Sequence, residues 1–262
     1  KTETLKQYTK EICNMLTFLG KRLEDITGMD LRYYYGVMRE KRGIKMSTMQ
    51  TRLHYLSSFW DFLNSEELIR SNPVKKVGAL KLEKTMKKPF AAEELEALRE
   101  GCKELRDRAL VEFLYSTGVR VSELAALNVA DIEMGKQELI VYGKGSKERK
   151  TYLTDSAKFH LRRCLQERDA KPDEPLFVTL DAPHDRLSVA GIQYMLRQLG
   201  RRAGVTGVHP HRFRRTIATD LLNRGMPIEQ VKEFLGHEKL DTTMIYCAVR
   251  AESVKASHRK YA

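Results

Sequence analysis

Glu138-Leu139-Ile140-Val141-Tyr142-Gly143-Lys144-Gly145-Ser146-Lys147-Glu148-Arg149-Lys150-Thr151-Tyr152-Leu153 is where the apolar period of this chain changes. Residues 138–141 and 149–153 read as short strands around a glycine-rich turn, a small β-hairpin with Lys144 at its tip. The segments on either side read as helix. The expected fold class is therefore mainly α with a small β-hairpin sheet.

Upstream of the hairpin, residues 92–101 and 106–116 read as helices, and another opens after Arg120. Further upstream the first eighty residues read as helices only. Met49, Leu53, Leu56, Trp60 and Leu63 alternate at intervals of four and three, one apolar stripe on a helix that Ser47 is placed to cap. Residues 5–19 and 30–42 read as two earlier helices, with Gly43 placed to end the second. Asn72-Pro73 breaks the pattern, because proline pushes the residue before it out of helical geometry. Lys81-Leu82-Glu83-Lys84-Thr85-Met86-Lys87-Lys88-Pro89 is polar, basic and closed by proline, which suits a strap between two domains. Downstream, helices are expected over 156–168, 188–202, Pro210–Asn223 and Ile228–Leu235. Gly225 sits at a helix end and Pro227 in the first turn of the next helix. Two domains are thus expected, an all-α domain and an α+β domain.

Composition narrows the partners. The net charge is +12, from 47 Lys and Arg against 35 Asp and Glu, and residues 1–88 alone hold 18 basic against 10 acidic groups. A basic surface of this size attracts polyanions by releasing their counterions, and nucleic acid is the commonest such partner. No stretch approaches the roughly 18 apolar residues of a membrane helix, so no membrane association is expected. Cys13, Cys102, Cys164 and Cys247 lie far apart with no C-x-x-C pair, which gives neither zinc-ligand spacing nor a disulfide framework. Reduced thiols fit a cytoplasmic protein. Cys247 reads as a packed residue rather than a nucleophile.

The residues suited to chemistry come in a spaced order. Arg120 lies in T-G-V-R-V-S-E-L and Lys144 in G-K-G-S-K-E-R; His211 and Arg214 make up H-R-F-R; His237 closes L-G-H and Tyr246 closes T-T-M-I-Y. A tyrosine hydroxyl with pKa about 10 attacks an anionic phosphodiester only with help. Arginine offsets the equatorial charge of the pentavalent transition state, because its planar fork stays charged and spans two oxygens. Histidine accepts the tyrosine proton, and a lysine on a turn can protonate the departing 5′-oxygen. His211 and Arg214, three apart on one helix, share a face. Metal-assisted hydrolysis needs a carboxylate cluster, and Glu123, Asp131 and Glu138 form no evident one. Glu123, three residues after Arg120, reads as a partner that holds an arginine in place. No cofactor and no metal is expected.

These residues and their order resemble the tyrosine recombinases, or phage-type integrases, most of all the Xer-type and transposon-integrase branches. The resemblance covers nearly the whole chain. It implies a helical core-DNA-binding domain over 1–81, a basic interdomain linker over 82–88 and a catalytic domain over 89–262. The family's catalytic positions match Arg120, Lys144, His211, Arg214, His237 and the nucleophile Tyr246. The implied reaction joins Tyr246 to a 3′-phosphate, releases a 5′-hydroxyl and reverses on the partner strand, with no ATP. The implied partners are double-stranded DNA and further copies of the chain, as a homotetramer on two DNA sites that exchanges a C-terminal tail from about residue 251. Accessory DNA-bending or directionality proteins and a mobile-element setting belong to the same picture. One position departs: many Xer-type members have histidine after the second arginine, where this chain has Arg215. A topoisomerase IB-like relaxing enzyme or hairpin resolvase would use the same nucleophile, and a catalytically silent DNA-binding relative would share the fold.

Overall fold

The computed structural model describes residues 2–78, 88–143 and 148–236. It divides into two compact units, Lys1–Met86 and Lys87–Ala262.

The first unit has three helices among its described residues, α1 (Thr2–Leu19), α2 (Gly28–Arg42) and α3 (Met46–Ser65), followed by a short 3₁₀ turn at Pro73–Lys76. The expected stripe forms its core: Leu56 and Trp60 are fully buried, with Met49 and Leu53 beside them. Met15 from α1 and Leu31, Tyr34 and Tyr35 from α2 complete that core. All three helices start earlier than the sequence reading, α1 at Thr2 rather than residue 5. α2 opens at Gly28 because Thr27 and Asp30 form a reciprocal cap, Thr27 N–H donating to Asp30 Oδ2 at 2.9 Å. Ser47 does not cap α3. It lies inside the first turn, where its carbonyl accepts from Thr51 Oγ1, and Lys45 holds the cap position without a side-chain bond. Gly43 ends α2 in the left-handed region, as its placement predicts. Asn72-Pro73 is not what ends the helix: α3 stops at Ser65, and Asn72 caps the Pro73–Lys76 turn, accepting from Val74 N–H at 2.8 Å while its amide donates to Asp61 Oδ1 and to the Ser57 carbonyl.

The second unit is built on α5 (Leu105–Thr117), which is buried along most of its length. Around it stand α4 (Ala92–Glu100), α6 (Val121–Ala126), α7 (Asp155–Glu167), α8 (Val189–Arg202), α9 (Pro210–Asn223) and α10 (Ile228–Leu235). The acidic groups on α5 are paired: Glu112 takes two bonds from Arg99, and Asp107 pairs with Arg106. The hairpin is present as β2 (Glu138–Tyr142) and β3 (Glu148–Tyr152), antiparallel with Val141 opposite Arg149. A third strand, β1 (Ile132–Glu133), pairs with the other edge of β2. Two residues are too few to show alternation, so the sequence held no signal for it. Pro227 stands one residue before α10, at its cap position rather than inside its first turn. Among the described residues no helix is long and apolar enough to cross a membrane.

The entry into this second unit is pinned to α9. Phe90 N–H donates to Thr216 Oγ1 at 2.9 Å, Arg212 donates to the Pro89 carbonyl at 3.2 Å, and Arg215 donates to the Lys88 carbonyl at 3.3 Å. The Arg212 guanidinium also lies 4.1 Å from the centre of the Phe90 ring.

Candidate active site

The site begins where α5 stops. Thr117 is buried, and Gly118 ends the helix at φ 57°, a left-handed conformation that glycine adopts without strain. A Cβ at Gly118 would also lie 3.0 Å from Leu235 and 3.1 Å from Ile217, so the glycine lets α9 and α10 approach the turn. The chain then enters α6 with Arg120 at its cap. Glu123 Oε2 accepts from Arg120 N–H at 2.8 Å, and Glu123 Oε1 accepts from Arg120 Nη1 at 2.8 Å.

Strand β3 meets the same turn from the other side. Thr151 Oγ1 donates to the Thr117 carbonyl at 2.8 Å, and Ser116 Oγ donates to the Tyr152 carbonyl at 3.1 Å. This fixes Arg149, two residues earlier, beside Glu123. Arg149 grips both carboxylate oxygens, Nη1 to Oε1 at 2.9 Å and Nη2 to Oε2 at 2.7 Å.

The remaining side of the site is the C-terminal end of α10. The last carbonyls of a helix have no partner within it and carry the negative end of its dipole. Here three consecutive ones each accept from a different arginine. Phe234 O accepts from Arg149 Nε at 3.2 Å, Leu235 O from Arg214 Nη2, and Gly236 O from Arg120 Nη2 at 3.1 Å. Arg214 reaches this point from the buried face of α9 and donates its other terminal nitrogen to the Gly118 carbonyl. Residues far apart in the chain thus meet at one helix end and one glycine turn.

Three guanidiniums against one carboxylate leave an excess of positive charge. Burial pushes the Glu123 carboxyl up, but the Arg149 hydrogen bonds and those from Arg120 outweigh it, so it is held below the usual carboxylate range. The three arginines are not equally placed. The Arg120 side chain is 35% exposed, Arg149 only 9%, and Arg214 as a residue 3%. Arg120 lines a cleft of about 1560 Å³ in which Arg99, Arg149, Lys150, Arg224 and Lys232 outnumber the carboxylates of Glu112, Glu148 and Glu233. A convergent cationic cleft of this kind suits a phosphate group.

Of the residues singled out in the sequence, Arg120 and Arg214 are brought together. His211 lies on α9, one turn before Arg214, and is exposed. Lys144, in the connection between β2 and β3, and His237 and Tyr246, beyond Gly236, lie outside the described residues. So does Cys247, the last of the four thiols weighed there. The expected pairing of Glu123 with an arginine is present, doubled by Arg149. Arg149 is the participant that the sequence reading passed over. Its signal was the alternation of β3: residues 149 and 151 share a face, and Thr151 is fully buried. An arginine on the inner face of a strand calls for a carboxylate.

Comparison with known proteins agrees with this architecture. Residues 85–253 match the model of the phage integrase family. The tyrosine recombinase XerC of Listeria monocytogenes is 34% identical over 275 residues, covering 98% of this chain and 91% of that protein. The XerC of Bacillus subtilis is 34% identical over 277 residues, covering 98% and 90%. Among solved structures, the XerH site-specific recombinase bound to a palindromic difH substrate in a post-cleavage complex is similar with a TM-score of 0.80 at 20% identity, covering 97% of this chain and 78% of that one. The Tn1549 transposon integrase in complex with transposon right end DNA is similar with a TM-score of 0.78 at 20% identity, covering 98% and 94%. In sequence and in fold, this chain belongs to the phage integrase family, the tyrosine recombinases.

Proposed function

We propose that this site-specific DNA recombinase cleaves and rejoins strands through Tyr246, with Arg120, Lys144, His211, Arg214 and His237 as its catalytic partners. The observation that carries the assignment is the convergence of Arg120 and Arg214 on successive carbonyls at the end of α10, next to the segment that bears His237 and Tyr246. The Tyr246 Oη attacks the scissile phosphorus, and its proton passes to His211. Arg120 and Arg214 offset the charge that grows on the equatorial oxygens, and His237 donates a hydrogen bond to one of them. The bond to the 5′-oxygen breaks as Lys144 gives that oxygen a proton. The products are a 3′-phosphotyrosyl link and a 5′-hydroxyl. Attack by the 5′-hydroxyl of the partner strand reverses each transfer, so the bond energy is retained in the adduct.

Residues 1–81 act as the core-DNA-binding domain, 82–88 as the basic linker, and 89–262 as the catalytic domain, with an exchange tail from about residue 251. The division of the compact units at Met86 and Lys87, and the start of the family match at residue 85, support this reading. A homotetramer on two double-stranded DNA sites, accessory bending or directionality proteins, a mobile-element role and a cytoplasmic location complete the proposal. They rest on kinship with the recombinases named above.

The test uses a duplex site that this protein selects from a randomised DNA pool, nicked near the cleavage point so that the adduct is trapped. Tyr246→Phe keeps the ring and removes only the nucleophilic oxygen. It should bind this duplex like the wild type and form no covalent adduct on a denaturing gel. An adduct that persists would assign the attack to another residue.

A further inference from the structure

Arg149 has no place in the mechanism above, yet its guanidinium is fully committed at the site. All three of its guanidinium nitrogens donate to protein groups, two to Glu123 and one to the Phe234 carbonyl. Its side chain, 9% exposed, borders the cleft with its donor nitrogens already turned to protein acceptors. Glu123, 4% exposed, bonds Arg120 through both backbone and side chain. A buried carboxylate facing a single guanidinium draws that cation toward itself and cancels its charge. Shared between two guanidiniums, the same carboxylate orients Arg120 while leaving the pair with net positive charge. Arg149 does a second thing by position. It stands near the start of β3, five residues after Lys144 in the chain, and it is tied to the last turn of α10, after which the sequence continues to His237 and Tyr246.

We infer that Arg149 is a positioning residue, which takes up the charge of Glu123 so that Arg120 stays available to the scissile phosphate, and which fastens the β2–β3 hairpin to the end of α10. This rests on the assignment of Arg120 and Tyr246 made above. It is a statement about charge sharing, and that separates it from a role in packing alone. Removal of Arg149 leaves Glu123 to bear on Arg120 undivided; neutralising Glu123 as well relieves that pull, although it removes more of the native network.

The experiment measures single-turnover adduct formation on the selected nicked duplex, with site affinity followed by fluorescence anisotropy and folding by thermal melts. Arg149→Gln should bind within about threefold of the wild type and form adduct more slowly by about tenfold or more, less than the 10²–10³ typical of deleting a direct transition-state donor. Glu123→Gln added to Arg149→Gln should then speed adduct formation severalfold over the single variant. A double variant no faster than Arg149→Gln, or an Arg149→Gln that cleaves at the wild-type rate, overturns the inference. Should Arg149→Gln not fold, Arg149→Lys is read instead. It keeps the charge, so it should cleave within about tenfold of the wild type; a folded, DNA-binding Arg149→Lys slowed by the 10²–10³ of a lost direct donor would equally overturn the inference. Failure of the underlying assignment has a different signature: either the wild type itself yields no adduct, or Tyr246→Phe still yields one.

Discussion

Glu123 is a carboxylate that burial alone would push toward neutrality, and the hydrogen bonds from Arg149 and Arg120 reverse that tendency. Its folded-state pKa lies below the unfolded one, so its contribution to stability is fully present above about pH 4.5 and is lost as pH falls through the folded value. At neutral pH, Glu123→Gln should cost about 1.5–3 kcal/mol, the range of hydrogen bonds to charged groups. The gap in Tm between wild type and this variant should hold steady from pH 7 to about 5 and narrow below that, because a protonated Glu123 resembles the amide. A gap that stays constant into acid would show that the carboxylate bears no charge-assisted bonds. The pairing of Glu123 with Arg120 was legible in the sequence, since the two stand three apart across the start of a helix. Arg149 was less so: the alternation of β3 puts it on one face with Thr151, but alternation alone does not say which face is buried.

At the scale of elements, the end of α10 organises the site. Gly236 closes the helix at φ 64°, and a Cβ there would lie 2.7 Å from Arg149 Cδ. Gly236→Ala therefore combines backbone strain of roughly 1–2 kcal/mol with displacement of Arg149. Gly204, at φ 67° with open space around it, supplies the matched control, since Gly204→Ala carries the strain and meets no side chain. Gly236→Ala should lose at least as much stability as Gly204→Ala in thermal melts, and it alone should form adduct more slowly by about tenfold or more, by analogy with disturbing a preorganised donor set. Equal adduct rates for the two would detach the helix end from the chemistry. The helices themselves were largely readable from apolar period and glycine stops, and α9 and α10 have the bounds expected of them. Their starts were less readable, as Thr27–Asp30 and Ser47 show, because a cap depends on where one side chain turns as well as on its type.

For the whole molecule the governing quantity is charge. A protein with a net charge of +12 that neutralises about six to ten phosphates should lose about 10³–10⁵ in DNA affinity between 50 and 200 mM salt, measured by anisotropy on the selected duplex. Because the charge neutralisation is assigned to guanidiniums, adduct formation should proceed unchanged in EDTA. Cleavage that stops in EDTA and returns with magnesium would overturn the metal-free mechanism. The density of basic residues over 1–88 was visible in the sequence, and it agrees with a polyanionic partner without naming which residues touch it.

The sequence by itself determined the mainly helical fold with its small sheet and the family, and it nominated the residues proposed for phosphodiester attack. Those properties rest on local period, on residue chemistry and on order along the chain. Only the tertiary structure decided how the charges are arranged: that one buried carboxylate serves two arginines, and that Arg149, Arg214 and Arg120 bind the carbonyls of Phe234, Leu235 and Gly236 in turn. The physical reason is that a buried cation is stable only where acceptors surround it, and here those acceptors are backbone carbonyls at a helix end. A backbone carbonyl is present at every residue, so no sequence pattern distinguishes the three that matter; their place is set by how α10 packs against α9, β3 and the Gly118 turn.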